Sequence, residues 1–363
     1  TEFEIRAAPG WVPPAEPPPV AAPLPFLREP TQVTQPRVDL EPPPPPVVAP
    51  IPGIKPLTGP GKVYDSASAI WPGRGPEQFN YAVDEYVITG TAAGEPYETR
   101  LVIRKPKDNR KFSGLVVAEP MHPAAAAAHA FEYNSLYIMD AGHIAVEIDT
   151  TGVEQIARFN PERYGSLKAT QKQISEILAQ AGALIKSPQS PIADLKLRKM
   201  ILWGTSASSA MVVNYLPSHR VFKLASMANI YDGFMPTMNG STIAPVDVPI
   251  IQVPTQVEYM DVATAAQDSD EPGKQFRVYE FAAMAHLDSR NTRKRLTQED
   301  CLEPLSEIPL DAMASVALVT ATARSVVGLS VPFLARPPGD RLPANPASPT
   351  ASTSSTTSAA AES

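Results

Sequence analysis

The sequence predicts an α/β domain with a mostly parallel central sheet, helices on both faces and a low-complexity segment at each end. Short apolar runs alternate with helical patterns through the middle of the chain. Of the 42 prolines, 19 lie in residues 1–60, where average usage would give about three. The remainder, about 275 residues, is enough for one large core. We therefore expect a proline-rich arm at 1–61, one folded domain at 62–337 and a tail at 338–363.

The two end segments have compositions that are unsuited to a packed core. Residues 42–46 are five consecutive prolines, and such a segment favours polyproline II or a disordered linker. Docking to a proline-binding module is the alternative for this arm. In the tail, 13 of the 14 residues at 350–363 are Ser, Thr or Ala, which leaves little to bury.

Each element of the central domain has its own sequence signal. The β-branched and aromatic runs at residues 81–88 and 99–103 predict an early hairpin. Short apolar runs predict strands that are buried on both faces at residues 115–118, 144–148, 200–203, 249–253 and 276–281. Helical patterns occur at residues 124–137, 171–185, 208–216 and 310–327.

Charge, cysteine content and hydropathy exclude several classes of function. The formal net charge is −7, which argues against nucleic acid as a partner. Cys301 is the single cysteine, so neither an intrachain disulfide nor a cysteine-based zinc site is available. No apolar run approaches the roughly 18 residues of a membrane-spanning helix.

The string G-T-S-A-S at residues 204–208 lies between a predicted buried strand and a predicted helix. Small residues two before and two after Ser206 would let the chain turn sharply and leave the hydroxyl exposed at the carboxyl edge of the sheet. Ser208 occupies a position where glycine is more usual. The string predicts that Ser206 is a nucleophile, and the alternative is an ordinary strand-to-helix turn with a capping serine.

A nucleophilic serine needs a general base, and two of the five histidines, His219 and His286, follow Ser206. In the chain order serine, acid, histidine the base lies downstream of the nucleophile. His286 follows a predicted strand by a short loop, so we predict that it is the base. His219 lies 13 residues after Ser206, at the end of the predicted helix, and is the alternative.

The acidic partner of the histidine is expected after the strand at residues 249–253. Glu258, Asp261 and Asp268 follow that strand, and Glu258 is our first choice with Asp261 as the alternative. A carboxylate at this place would accept the Nδ1–H of His286, hold its tautomer and stabilise the imidazolium of the transition state.

An oxyanion hole needs two N–H groups directed at the developing charge. Ala207, directly after the nucleophile, is expected to supply one. The second should come from the loop at residues 119–123. Because Pro120 and Pro123 have no N–H, Met121 or His122 must donate, and we predict Met121. The predicted substrate-binding residues are His122, Thr205 and Tyr231.

Four landmarks occur in order along the chain: N-P-E-R-Y-G-S-L at residues 160–167, the turn at 204–209, Y-D-G-F-M-P at 231–236 and A-H at 285–286. With these, residues 81–338 resemble a bacterial family of serine hydrolases called the alpha/beta hydrolase domain. The family turn commonly reads G-x-S-Q-S-G, so Ala207 and Ser209 depart from it, whereas Ser206 is kept. The resemblance implies the α/β-hydrolase fold, serine-hydrolase chemistry at Ser206 and export to the periplasm or medium.

We therefore expect a carboxylic ester hydrolase that forms an acyl-enzyme on a small-molecule ester and needs no cofactor or metal. Two alternatives remain open. The same triad could serve a diketone (C–C) hydrolase or an acyltransferase, or the domain could be an inert binding or scaffold module whose proline-rich arm carries the function.

Overall fold

A nine-stranded sheet forms the centre of the part of the chain that the computed structural model describes, namely residues 42–70, 73–124, 126–255, 258, 268–281 and 286. The described residues form these nine strands and a separate pair, numbered in chain order: β1 (Val47–Val48), β2 (Gly53–Pro56), β3 (Tyr81–Ala92), β4 (Glu95–Pro106), β5 (Leu115–Pro120), β6 (Ile144–Ile148), β7 (Lys199–Thr205), β8 (Phe222–Lys223), β9 (Gly233–Thr237), β10 (Ile250–Gln252) and β11 (Phe276–Val278). The order across the sheet is β2-β3-β4-β6-β5-β7-β9-β10-β11, and β1 pairs separately with β8. The six strands from β6 to β11 in this order are parallel, which confirms the mostly parallel sheet.

Helices cover both faces of this sheet. They are α1 (His129–Asp140), α2 (Val153–Phe159), α3 (Pro161–Tyr164), α4 (Ile174–Ile185) and α5 (Ala207–Val221). Leu178 of α4 and Val212 of α5 share one core cluster with alternate residues of β5 and β7. Phe131 of α1 shares another cluster with the intervening residues, Val117 and Trp203. Among the described helices, none has the length and apolar character needed to cross a membrane.

The apolar runs predicted the central strands well because these strands are buried on both faces. All five residues of β6 are buried, so the strand has no polar face to show alternation. The early hairpin is also confirmed as β3 and β4, which pair in antiparallel register. Ala93 and Gly94 join them with φ values of 51° and 79°, the two positive angles that a tight two-residue hairpin turn requires.

The predicted domain boundary at residue 61 is wrong, because β2 belongs to the sheet. Ile54 of β2 lies opposite Ile88 of β3, and the Leu57 N–H donates to the Glu85 carbonyl at 2.9 Å. β2 is the edge strand, where a proline such as Pro56 is tolerated because one side of the backbone needs no partner. Proline content therefore does not exclude these residues from the domain. The predicted helix at 310–327 lies outside the described residues.

The strand β9 was not predicted, and it lies beside the central strand β7. Pro236 within it lies opposite Gly204, and its carbonyl accepts the Val253 N–H at 3.0 Å. A proline in a short run argues against a central strand because it cannot donate to the ladder. β9 nevertheless pairs with β7 on one side and with β10 on the other.

The helix predicted from residue 124 begins at His129 instead. The N–H of His122 donates to the Ala127 carbonyl at 2.9 Å, and Ala126 has a positive φ of 47°. The pairing of His122 with Ala127 thus turns the chain back on itself at the carboxyl end of β5. The alanines have high helix propensity, but this backbone pairing overrides it.

The landmark string at residues 160–167 anchors a buried ionic network. Arg163 Nη2 lies 2.6 Å from Glu85 Oε2, and the Tyr164 hydroxyl donates to Glu85 Oε1 at 3.0 Å. Arg100 Nε contacts the same carboxylate at 2.6 Å. The string therefore has a structural role here: it ties α3 to the antiparallel strand β3.

Candidate active site

Ser206 lies at the turn between β7 and α5 in a backbone conformation that residues other than glycine rarely adopt. Its φ and ψ are 57° and −125°, and its N–H donates to the Thr237 carbonyl at 3.0 Å. Such strained backbone persists only where the surroundings hold it, and it is common at active sites. The geometry fits the sharp turn that presents a serine hydroxyl at the carboxyl edge of the sheet.

The small residues on either side of Ser206 are required by close packing. A Cβ atom on Gly204 would lie 2.5 Å from the Ser208 carbonyl oxygen and 2.6 Å from Ser209 Cα. Ser208 is fully buried, and its hydroxyl accepts the Thr205 N–H and donates to the Thr205 carbonyl, both at 2.9 Å. The Ser208 side chain thus stabilises the turn through hydrogen bonds to the backbone of Thr205.

The structure brings Ser206, His286 and Glu258 into one chain of hydrogen bonds. Ser206 Oγ lies 2.9 Å from His286 Nε2, and His286 Nδ1 lies 2.5 Å from Glu258 Oε1. Glu258 follows β10 and His286 follows β11, whose carboxyl ends lie at the same edge of the sheet as that of β7. The alternative acid Asp261 lies outside the described residues.

The environment of Glu258 favours the carboxylate. Burial alone would raise its pKa, but hydrogen bonds from the Thr255 hydroxyl and N–H and from His286 outweigh burial and lower the pKa of Glu258 below its usual value. The Thr255 N–H donates to Glu258 Oε2 at 3.0 Å, which leaves Oε1 directed at His286. Glu258 is therefore an ionised acceptor at neutral pH, as an orienting acid must be.

The alternative base, His219, is far from the nucleophile. It lies at the opposite end of α5, 13 residues or roughly 20 Å away along the helix. It is fully buried, and its Nε2 lies 2.9 Å from Asp247 Oδ1. The structure thus assigns His219 to a contact between α5 and the loop before β10.

We expect His219→Ala to lower stability and to leave hydrolase activity within a few-fold of wild type. The hydrogen bond from His219, together with Asn229 and Lys223, holds the pKa of Asp247 well below its ordinary value. A carboxylate with a lowered folded pKa stabilises the protein above its unfolded pKa and loses that contribution as the pH falls. Urea midpoints at pH 7 and pH 3 should therefore differ less in the variant than in wild type. Loss of turnover in a folded His219→Ala sample would contradict this assignment.

The predicted second oxyanion donor is engaged elsewhere. The Met121 N–H donates to the Ile148 carbonyl at 3.0 Å, and the His122 N–H is held by Ala127. Ala207, in contrast, is the first residue of α5, and the first N–H groups of a helix have no acceptor within it. The Ala207 N–H thus has no acceptor within the helix, whereas the Met121 amide faces the neighbouring strand.

Comparison with known families agrees with this architecture. The family model described as "Alpha/beta hydrolase domain" matches residues 55–323. The chain belongs to this family. No curated protein sequence matches it.

The solved structures that match this α/β hydrolase share little sequence with it. A dienelactone hydrolase from Anabaena variabilis is 11% identical, with a TM-score of 0.37 over 61% of this chain and 98% of its own. The esterase Est22 is 7% identical, with a TM-score of 0.42 over 63% of this chain and 80% of its own. A cold-adapted esterase from an Arctic intertidal metagenomic library is 13% identical, with a TM-score of 0.31 over 55% and 85%.

Two of the predicted substrate-binding residues of this α/β hydrolase are structural. Tyr231 is fully buried in the main core, and its hydroxyl donates to the Leu178 carbonyl at 2.7 Å. The Thr205 side chain is buried beneath the turn, where its hydroxyl lies 2.9 Å from that of Thr237. Thr205 lies beneath the turn, and Tyr231 lies before the amino end of β9, at the opposite edge of the sheet, so the prediction that they contact substrate does not fit the structure. An aromatic or hydroxyl residue near a motif is as often a packing residue, and the string alone does not distinguish the two.

Thr237 is a residue of the site that the sequence analysis missed. Its hydroxyl accepts from Trp203 Nε1 at 3.1 Å and donates to the Gly204 carbonyl at 3.0 Å, while its carbonyl holds the Ser206 N–H. It therefore supports the strained turn from the adjacent strand. It was missed because β9 itself was missed.

Within the described residues, no group of three or more His, Cys, Asp or Glu side chains is arranged to hold a metal ion. The described part of the site consists of side chains and backbone that suit acid–base and nucleophilic chemistry.

Proposed function

We propose that this α/β hydrolase is a serine esterase that cleaves small carboxylic esters through an acyl-enzyme on Ser206. The observation on which the proposal rests is the continuous hydrogen-bonded chain Ser206–His286–Glu258, at 2.9 Å and 2.5 Å, at the end of a strained strand-to-helix turn. A serine, a base that contacts it and a third group that orients the base are the signature of an activated nucleophile.

In the acylation step, Ser206 Oγ forms a bond to the acyl carbon, and the carbonyl π electrons move onto the carbonyl oxygen. His286 Nε2 takes the hydroxyl proton, and Glu258 stabilises the resulting imidazolium through Nδ1–H. The tetrahedral intermediate collapses, and the leaving alkoxide takes the proton from His286. The Ala207 N–H supports the oxygen while it carries negative charge.

In the deacylation step, water takes the place of the alcohol. His286 accepts a proton from the water, the hydroxide adds to the acyl carbon, and collapse returns the proton to Ser206 Oγ with release of the carboxylic acid. The same groups serve both halves of the reaction, so no metal or cofactor is required by this scheme.

Steady-state turnover of p-nitrophenyl acetate and butyrate tests the proposal against its alternatives. We expect saturable hydrolysis of both esters and no cleavage of an aryl diketone. Preferred cleavage of the diketone would indicate a C–C hydrolase, and transfer of the acyl group to an added alcohol faster than to water would indicate an acyltransferase. A folded chain without turnover of any of these would support the scaffold alternative and contradict the proposal.

We expect Glu258→Gln to lower kcat by about 10²–10⁴-fold with a small change in KM, because the amide no longer stabilises the imidazolium or holds the tautomer. Asp261→Asn is the comparison variant and should stay within a few-fold of wild type. If Asp261→Asn shows the large loss and Glu258→Gln does not, the acid is Asp261 rather than Glu258.

A further inference from the structure

The side chain of Thr237, at the end of β9, is bonded to each of the three residues that precede the nucleophile. Its hydroxyl accepts from Trp203 Nε1 at 3.1 Å, donates to the Gly204 carbonyl at 3.0 Å and lies 2.9 Å from the Thr205 hydroxyl. A hydroxyl has one proton and two lone pairs. Because the proton goes to Gly204, Thr205 is the donor in the third bond, and the turn uses the full hydrogen-bonding capacity of the Thr237 hydroxyl.

The backbone of Thr237 extends these contacts to the nucleophile itself. The Thr237 carbonyl accepts the Ser206 N–H at 3.0 Å, so this one residue bonds to four consecutive residues, 203–206. Ser206 has a positive φ of 57°, and a strained backbone persists only where the surrounding structure holds it. Thr237, which is 7% exposed, is therefore one of the groups that hold the Ser206 hydroxyl in place.

The chain that follows β10 is paired to the other side of the same residue. Thr237 lies opposite Val253 in a parallel bridge. The Val253 N–H donates to the Pro236 carbonyl at 3.0 Å, and the Met238 N–H donates to the Val253 carbonyl at 2.7 Å. A backbone hydrogen bond thus lies on each side of Thr237 and joins it to the segment after β10.

That segment carries the acid of the triad. Thr255, two residues after Val253, is fully buried, and its N–H donates to Glu258 Oε2 at 3.0 Å. The other oxygen, Oε1, lies 2.5 Å from His286 Nδ1, and the second nitrogen of that ring lies 2.9 Å from Ser206 Oγ. One imidazole therefore spans the distance between Ser206 and Glu258, and a change in that distance would break one of its two contacts.

We propose that Thr237 is a positioning residue that sets the distance between Ser206 and Glu258. The inference rests on the proposed esterase function and names a further residue on which the same triad depends. Removal of the Thr237 hydroxyl would leave the Trp203 Nε1–H without this acceptor, and a buried donor without a partner is costly. The turn would then rearrange, and a displacement of about 1 Å in reacting groups lowers a rate by about 10²-fold.

The test compares kcat and KM for p-nitrophenyl butyrate, and the rate of labelling by a fluorophosphonate, in a set of variants. Thr237→Val keeps the shape of the side chain and removes the hydroxyl, Thr237→Ala removes the hydroxyl without placing a methyl group where the oxygen was, and Thr237→Ser keeps the hydroxyl. Thr99→Val is the matched control, because Thr99 in β4 is also buried and its hydroxyl donates to the Asp149 carbonyl. Thermal melts establish that each variant is folded.

We expect Thr237→Val and Thr237→Ala to lower kcat and the labelling rate by about 10–10²-fold, with KM within about threefold, because Ser206 is misplaced while substrate binding is kept. Thr237→Ser should stay within about threefold of wild type in both rates. Thr99→Val should match wild type in both rates and differ only in melting temperature.

A double-mutant cycle with Glu258→Gln separates positioning from a general loss of structure. Residues that act as a unit have non-additive effects on kcat. If Thr237 aligns the nucleophile with the acid, Thr237→Val should lower kcat by no more than about threefold in the Glu258→Gln background. The same factor in both backgrounds would overturn the inference.

Wild-type kcat and labelling rates in folded Thr237→Val and Thr237→Ala would also overturn the inference, and would leave the esterase proposal intact. If the wild-type chain is labelled on Ser206 but cleaves no ester, the esterase proposal fails, whereas the labelling rates of the same variants still test the role of Thr237. Absence of both turnover and labelling in wild type would overturn the two together.

Discussion

Replacement of Ser206 by alanine is expected to lower kcat for p-nitrophenyl butyrate by about 10⁴-fold or more, because the acyl-enzyme can no longer form. The alanine removes Oγ, which lies 2.9 Å from His286 Nε2, and leaves the base with no hydroxyl to deprotonate. The backbone at 206 has a positive φ of 57°, and alanine carries the same Cβ there as serine, so the turn should persist. Any residual rate would come from binding and the oxyanion donors.

The control for this variant is Ser187→Ala. Ser187 follows α4, and its hydroxyl donates to the Leu184 carbonyl at 2.8 Å, away from the elbow. Stopped-flow or plate assays should give wild-type kcat for Ser187→Ala. Turnover by Ser206→Ala within tenfold of wild type would contradict the assignment of the nucleophile.

Replacement of Arg100 by methionine is expected to give the largest loss of stability, about 3–5 kcal/mol, because it removes a buried counter-charge that three carboxylates share and leaves Asp149 without a basic partner among the described residues. Arg100 is 1% exposed. It contacts Glu85 at 2.6 Å, Glu147 at 3.1 Å and Asp149 at 3.2 Å. Burial and the neighbouring Glu147 already raise the pKa of Asp149, and without Arg100 more protons must be taken up on folding.

Urea denaturation of the full chain at pH 7 measures this effect. Arg100→Lys keeps the charge but loses the planar fork that contacts several carboxylates, so its midpoint should fall between those of wild type and Arg100→Met. Arg110→Met is the control, because Arg110 pairs with Asp108 on the surface with 91% of its side chain exposed and such pairs contribute little. Equal midpoints for Arg100→Met and Arg110→Met would contradict the importance of the buried network.

The sequence was most informative where local pattern and buried environment agree. The apolar runs of β5, β6 and β7 predicted strands because both faces of these strands are buried. The string at residues 204–208 predicted the strained turn because steric demands at Gly204 leave few other choices. The chain order serine, acid, histidine limits the candidate bases to His219 and His286. In the fold, His286 contacts Ser206, whereas His219 lies at the far end of α5.

The features that the sequence did not reveal depend on tertiary contacts. β9 contains a proline and is stabilised by neighbours on both sides. The Met121 amide occupies the expected place for an oxyanion donor in the sequence, but in the fold it donates to the Ile148 carbonyl. Tyr231 lies in a recognisable string, but its hydroxyl is directed at the Leu178 carbonyl in the core. A sequence pattern indicates which residue types could take part in a reaction. Only the fold shows which of their donor and acceptor groups are already used in hydrogen bonds within the protein.

The central claim is that Ser206 is the residue that becomes covalently acylated. The most direct measurement is peptide mapping by mass spectrometry after reaction of the folded wild-type chain with an active-site-directed fluorophosphonate. We predict one adduct per chain, located on Ser206 and absent from Ser206→Ala. An adduct on another residue, or labelling that persists in Ser206→Ala, would contradict the account.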